Sequence, residues 1–87
     1  MADTYLISID CGTESARAAL FTLDGRLVAS QVAPYPLRHP RPGWAEQLPD
    51  EWWSAIVSAI RGTVEASGIN PEAIVGISGD FTSCTLV

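Results

Sequence analysis

Apolar and polar positions alternate in two different rhythms along this chain of 87 residues. Residues 5–9, "YLISI", form a short β-prone run that reads as a buried strand. Residues 16–23, "ARAALFTL", and residues 26–32, "RLVASQV", read as a second and a third strand. Asp24-Gly25 between them is a strong two-residue hairpin signal. Residues 33–49 hold five of the six prolines and predict a loop with no regular element of its own. From Pro49 to Ser67 the period changes to that of a helix. Trp52, Trp53, Ala55, Ile56, Val57, Ala59, Ile60, Val64 and Ala66 share one arc, and Asp50, Glu51, Ser54, Ser58, Arg61 and Glu65 fill the other. The apolar arc is wide, roughly 200°, so this helix should lie on a sheet and touch something else as well. Pro49 suits the first helical position, Asp50 and Glu51 suit the positive end of the dipole, and Gly68 is a stop. Residues 70–73 add a short turn capped by Asn70, residues 74–78, "IVGIS", a fourth strand, and "TLV" at 85–87 opens a fifth.

The order β-β-β-α-β predicts an α/β fold: a mixed sheet, a hairpin-linked trio of strands, and a helix packed on one face. The helical crossover should set strand 4 parallel to strand 1 with right-handed connection. Ligands of such sheets gather at the carboxyl ends of the parallel strands. Those ends are "DCGT" at 10–13 and "SGDFT" at 78–82, so two polar motifs far apart in sequence should share one edge.

Composition narrows the class. At 47% hydrophobic and 17% charged residues the chain is globular, one domain or a piece of one. A net charge of -5 argues against electrostatic capture of nucleic acid or an anionic membrane, though not against one phosphorylated ligand held locally. No apolar stretch approaches a membrane span, and no basic region precedes the first apolar run. Cys11 and Cys84 form no CxxC pair, which fits reduced thiols and a cytoplasmic location. The apolar end of the chain suggests the N-terminal piece of something longer. Together with the wide helical arc, it also fits self-association, such as a homodimer.

The stretch "SIDCGTESARAALF" carries the candidate chemistry. Gly12 would free a tight turn from Cβ clashes. Thr13 and Ser15 offer hydroxyl and backbone donors to phosphate oxygens, Arg17 a charge-assisted bond, and Asp10 a carboxylate for a hydrated magnesium ion. The same residues also make an ordinary polar hairpin, with Arg17 paired to Glu14 or Asp10, and spacing alone does not separate the two. "GISGDFTSCT" is likewise a second ligand edge or a strand-end turn. Trp52 and Trp53 read as packing residues of the helix. Trp44 and Glu46 could line a sugar site, and His39 reads as a solvated loop residue.

Taken together, "DCGTESARAALFTLDGRLVAS", "PGWAEQLPDEWWSAI" and "IVGISGDFTSCT" resemble the start of the FGGY carbohydrate kinases. The resemblance implies a ribonuclease-H-like fold of the actin-like ATPase and sugar kinase kind, with residues 1–87 an incomplete N-terminal portion of the family's N-terminal domain. It implies ATP and Mg²⁺ as cofactors and transfer of a phosphoryl group to a sugar or polyol hydroxyl. Asp10 would then lie near the metal, with Gly12, Thr13, Ser15 and Arg17 at the nucleotide phosphates and Asp80, Phe81 and Thr82 at the sugar. "DFTSCT" is most similar to ribulokinase-type members, which favours a ketopentose. Glycerol kinases carry Arg-Glu and xylulokinases Met-His where this chain has Phe81-Thr82. Leu48 stands where relatives usually carry an aspartate that could cap the helix. The family's catalytic base and adenosine pocket come from later in a longer chain, so no catalytic residue is expected here and the piece alone should be inactive. The rivals are an actin-like module that binds nucleotide or a partner without chemistry, and an inactive truncated product.

Overall fold

A computed structural model describes residues 3–82. Three antiparallel-linked strands, β1 (Tyr5–Cys11), β2 (Ser15–Thr22) and β3 (Leu27–Pro34), are followed by the helix α1 (Pro49–Ser67), a single 3-10 turn (Pro71–Ala73) and β4 (Ile74–Phe81). The sheet order is β3-β2-β1-β4, with β4 parallel to β1 and the other neighbours antiparallel. The predicted mixed sheet is therefore present. The expected fifth strand at 85–87 lies outside the described residues.

Strands β1 and β4 run further than their apolar runs suggest, to Cys11 and Phe81, and β2 opens at Ser15. Polar residues inside a strand are tolerated wherever alternation sends them to solvent. Asp10, Ser15, Arg17, Asp80 and Phe81 thus stand on strands rather than in the turns beyond them.

Alternation also divides the sheet into two faces. Ile7, Ile9 and Cys11 of β1 and Ala16, Ala18 and Leu20 of β2 are buried. All but Ile9 join Ala33, Tyr35, Ala55 and Ala59 in one core cluster. Alanines at 16, 18, 55 and 59 let the helix come close to the sheet. Their packing leaves Leu20 and Thr63 as the largest fully buried side chains. Thr63 is accommodated because its hydroxyl donates to Ala59 O at 2.7 Å and reaches Ala18 O at 3.3 Å.

α1 packs over β2 and β3 and touches β1 lightly, while on β4 Ile74 packs against the edge of the core and Ile77 beyond it is exposed. Its buried stripe is narrower than the apolar arc. Ala55, Ala59 and Thr63 are buried, Trp52, Ile56, Ile60 and Val64 pack around them, and Trp53 is 68% exposed on the outer side. Trp53 is therefore not a core packing residue here, because a helix seated on two strands buries only the i, i+3, i+4 stripe.

The helix ends follow the local rules. Pro49 opens it, Asp50 and Glu51 lie in the first turn, and Gly68 closes it at φ 72° with its N–H on Val64 O and Glu65 O. Leu48 takes the extended N-cap conformation without a side-chain hydrogen bond. Asn70 caps the 3-10 turn by accepting from Glu72 N.

Two loops differ from expectation. The β2–β3 hairpin is closed by Thr22 and Arg26 around three residues, 23–25, not two. Thr22 N bonds Arg26 O at 2.9 Å, Gly25 N bonds Thr22 O at 3.0 Å, and Gly25 sits at φ 88°. This is the turn-plus-bulge form that a glycine in third place selects. The proline-rich segment contains a small hairpin of its own, an antiparallel bridge between Arg38 and Glu46. Its tip carries Gly43 at φ 80°, and Arg41 stacks 4.9 Å from the Trp44 ring.

Candidate functional site

On the face of the sheet away from α1, three charged residues form a row across neighbouring strands. Asp10 on β1 is the direct partner of Arg17 on β2 and of Asp80 on β4. All three are exposed. Neighbouring strands lie about 5 Å apart, so the two carboxylates stand side by side with a guanidinium on one flank. Arg17 makes no ion pair with Asp10 or Glu14; among the described residues the ion pair is Arg38 with Glu51, which ties the proline-rich segment to the first turn of α1.

The β1–β2 turn adjoins this row. Gly12 N donates to Ser15 O at 2.9 Å and closes it. Contrary to expectation, the turn itself does not need a glycine. Gly12 has no positive φ, and a Cβ there would stand 3.8 Å from Ser15 O, an ordinary contact. Three successive carbonyls of the turn are each taken by a donor from residues 35–47. Tyr35 Oη donates to Gly12 O, Gln47 Nε2 to Thr13 O, and Tyr35 N to Glu14 O at 2.9 Å. No described peptide is cis, and a trans peptide points its N–H opposite to its C=O. The Thr13 and Glu14 N–H groups are therefore turned away from the donors that hold the Gly12 and Thr13 carbonyls.

The donors are themselves fixed. Trp52 Nε1 can only donate, and it bonds Gln47 Oε1 at 3.0 Å, which leaves the Gln47 amide nitrogen for Thr13 O. Tyr35 Oη gives its proton to Gly12 O and stands 3.3 Å from Cys11 Sγ, so the thiol is the donor in that contact. Burial pushes the Tyr35 phenol well above the usual tyrosine range.

A cavity of about 90 Å³ lies at the carboxyl ends of β1 and β4, lined by Cys11, Gly12, Tyr35, Trp52, Phe81 and Thr82. Thr82 is held over it by two bonds to Cys11 O, from its N at 3.0 Å and its Oγ1 at 3.1 Å. Phe81 pairs with Cys11 and so faces the α1 side, 56% exposed, with its ring lying back over Gly79.

The structure thus brings Asp10, Gly12, Thr13, Ser15 and Arg17 to one end of the sheet with Asp80, Phe81 and Thr82, as the parallel β1–β4 pair requires. It divides the last three between faces: Asp80 beside Asp10, Phe81 toward the cavity, and Thr82 at the rim. Trp44 and Glu46 belong to the small hairpin, Glu46 through its backbone bridge to Arg38. His39 is exposed, its Nδ1 2.9 Å from Trp44 O. Tyr35, Gln47 and Trp52 are the residues that reasoning from motifs passed over as site residues. Register arithmetic points to the first of them: Ser15 is opposite Pro34, so the next residue must meet Glu14.

The match to known proteins covers most of the chain. The family model described as "FGGY family of carbohydrate kinases, N-terminal domain" matches residues 5–84. The ribulokinase of Geobacillus thermodenitrificans is 36% identical over an alignment covering all of this chain and 17% of that protein. Glycerol kinase 1 of Lactiplantibacillus plantarum is 42% identical, covering 88% of this chain and 15% of that protein. Among solved structures, a xyloylose kinase from Brucella ovis superposes with a TM-score of 0.80 at 31% identity, covering 87% of this chain and 16% of the other. The chain spans about a sixth of the length of these relatives, and its fold is that of the sugar kinases with the actin-like ATPase architecture. From the three sequence motifs, the β-β-β-α-β sheet and these matches, the chain belongs to the FGGY family of carbohydrate kinases.

Proposed function

We propose that this chain is the N-terminal portion of an ATP-dependent kinase that phosphorylates a sugar or polyol hydroxyl, with a ketopentose such as ribulose as the preferred acceptor. The observation that carries the reading is the Arg17–Asp10–Asp80 row beside a turn whose Gly12, Thr13 and Glu14 carbonyls are taken by donors from residues 35–47. Phosphoryl transfer asks of the protein mainly positioning and electrostatic stabilisation, and this end of the sheet offers donors, a cation and carboxylates together.

The residues fit a magnesium ion. Mg²⁺ is held by one or two carboxylates, with water and substrate phosphates completing its shell. Among the described residues no group of three or more His, Cys, Asp or Glu forms a cage of its own, while Asp10 and Asp80 are adjacent and exposed. Bound there, the metal would neutralise charge on the transferring phosphate. Asp10 would hold it. The turn amides, with Thr13, Ser15 and Arg17, would bind and orient the nucleotide phosphates. Gly12, which the turn does not require for itself, leaves room for a phosphate to approach the backbone.

Phe81 and Thr82 supply an apolar wall and a hydroxyl at the rim of the cavity, on the edge shared with the turn. The relatives include ribulokinases, glycerol kinases and xylulose kinases, so the ketopentose assignment rests on residues 80–82 and their likeness to ribulokinase-type members. Cys11 is a free thiol, consistent with a cytoplasmic enzyme, and no described helix is long and apolar enough to cross a membrane.

The test is a panel of ATP-dependent phosphorylation rates for ribulose, xylulose and glycerol in the full-length enzyme, with and without Asp10→Asn. The variant should keep the fold and lose turnover far more than sugar affinity, because the metal acts on the transferring group. Normal turnover in the variant would refute the metal role, and glycerol as the best substrate would refute the sugar assignment.

A further inference from the structure

Resting on the kinase reading above, we infer that Tyr35 and Gln47 are positioning residues that hold the 12–15 turn in the form that receives the nucleotide phosphates. The Gly12, Thr13 and Glu14 carbonyls are each held by a donor from residues 35–47. A short turn with two central residues has no such arrangement by default. Its peptide planes are free to rotate, and each rotation turns an N–H away from a bound anion and a carbonyl oxygen toward it. A carbonyl facing a phosphate oxygen is repulsive, so the struts remove the conformations that would expel the ligand. They remove them before binding, which cuts the ordering cost.

The struts also carry a division of labour. Tyr35 fixes the first and third carbonyls through its side chain and its own backbone N–H. Gln47 fixes the second, and its amide is oriented by Trp52 Nε1 at the start of α1. Tyr35 is buried and touches the core, whereas the exposed end of the turn meets solvent. Rigidity is thus transmitted from the core and the helix to the backbone of the turn, without any side chain of the strut segment needing to touch the nucleotide.

The experiment compares the active full-length enzyme with Tyr35→Phe and Gln47→Met. The first keeps the ring and removes the donor to Gly12 O. The second is neutral and of similar length, so no new charge confronts the phosphates. Each variant should raise the Michaelis constant for ATP and the Kd for ADP by roughly three- to tenfold, the scale of one hydrogen bond, with the Michaelis constant for the sugar unchanged. The carbonyl ¹³C resonance of Gly12 should move upfield in Tyr35→Phe, and that of Thr13 in Gln47→Met. A purely structural role would lower stability and leave the nucleotide constants at the parent's values. Carbonyl resonances that stay in place, or that move while nucleotide affinity is unchanged, overturn this inference alone. A parent enzyme that binds no nucleotide overturns the kinase reading and this inference with it.

Discussion

Asp80 is the direct neighbour of Asp10 across the parallel β1–β4 pair, and both carboxylates lie on the exposed face. Two like charges placed opposite each other on a sheet oppose folding, and Arg17 flanks only one of them. An arrangement that costs stability and serves no packing purpose is what a site for a cation and a phosphorylated ligand would require.

This pair gives the first prediction. Asp80→Asn should raise stability by about 0.2 to 1 kcal/mol, by removing the like-charge neighbour. The same substitution should lower kinase turnover in the full-length enzyme. Urea denaturation read beside steady-state rates checks both halves, and a loss of stability would show that Asp80 is held by contacts the row does not reveal.

Leu48 is an N-cap with the right backbone and the wrong side chain. Its φ of -100° and ψ of 123° are those of a capping residue, and it is about half exposed, so little packing is lost on replacement. Leu48→Asp should stabilise the fold by about 0.5 to 2 kcal/mol, within the range of a restored cap. Asp50 and Glu51 in the same turn would hold the gain toward the lower end by repulsion. A shift of the thermal midpoint to higher temperature is the expected result.

Tyr35 predicts an alkaline limit. Burial holds its phenol above the usual tyrosine range. A group whose folded pKa exceeds its unfolded pKa contributes stability below the unfolded value and loses it as pH rises further. Stability should therefore hold up to about pH 10 and fall above it. Tyr35→Phe, which cannot ionise there, should flatten that fall. Denaturation midpoints measured between neutral pH and pH 11 compare the two slopes.

Residues 79–82 predict how acceptors are ranked. Thr82→Val removes a hydroxyl at the cavity rim and its bond to Cys11 O, while the backbone bond from Thr82 N remains. It should reorder ketopentoses and polyols, because loss of a hydrogen-bonding group discriminates strongly. Phe81→Leu should lower affinity for all of them by a similar factor. Gly79→Ala should act like Phe81→Leu, since its new Cβ would come within 2.6 Å of the Phe81 ring and push that ring aside. An unchanged ranking in Thr82→Val would remove that side chain from the sugar site.

The element order, the parallel pairing of the first and last described strands and the shared edge that follows from it were all legible before any folding was seen. These are consequences of local periodicity and chain connectivity. The helix ends were legible for the same reason: Pro49 and Gly68 act on their own backbone. The stripe of the helix that is buried was not legible, because Trp53 and Ala55 are equally apolar in a one-dimensional pattern. Only the seating of α1 over β2 and β3 separates them. Nor could spacing tell which side of the sheet each polar residue takes, since that needs the strand to continue past Asp10 to Cys11 and past Asp80 to Phe81. The struts of the 12–15 turn lay furthest from view. Gln47 is 34 residues from Thr13, and nothing local marks it. A hydrogen bond between a loop side chain and a distant carbonyl exists only after the proline-rich segment has folded back along the sheet, and tertiary structure alone decides that path.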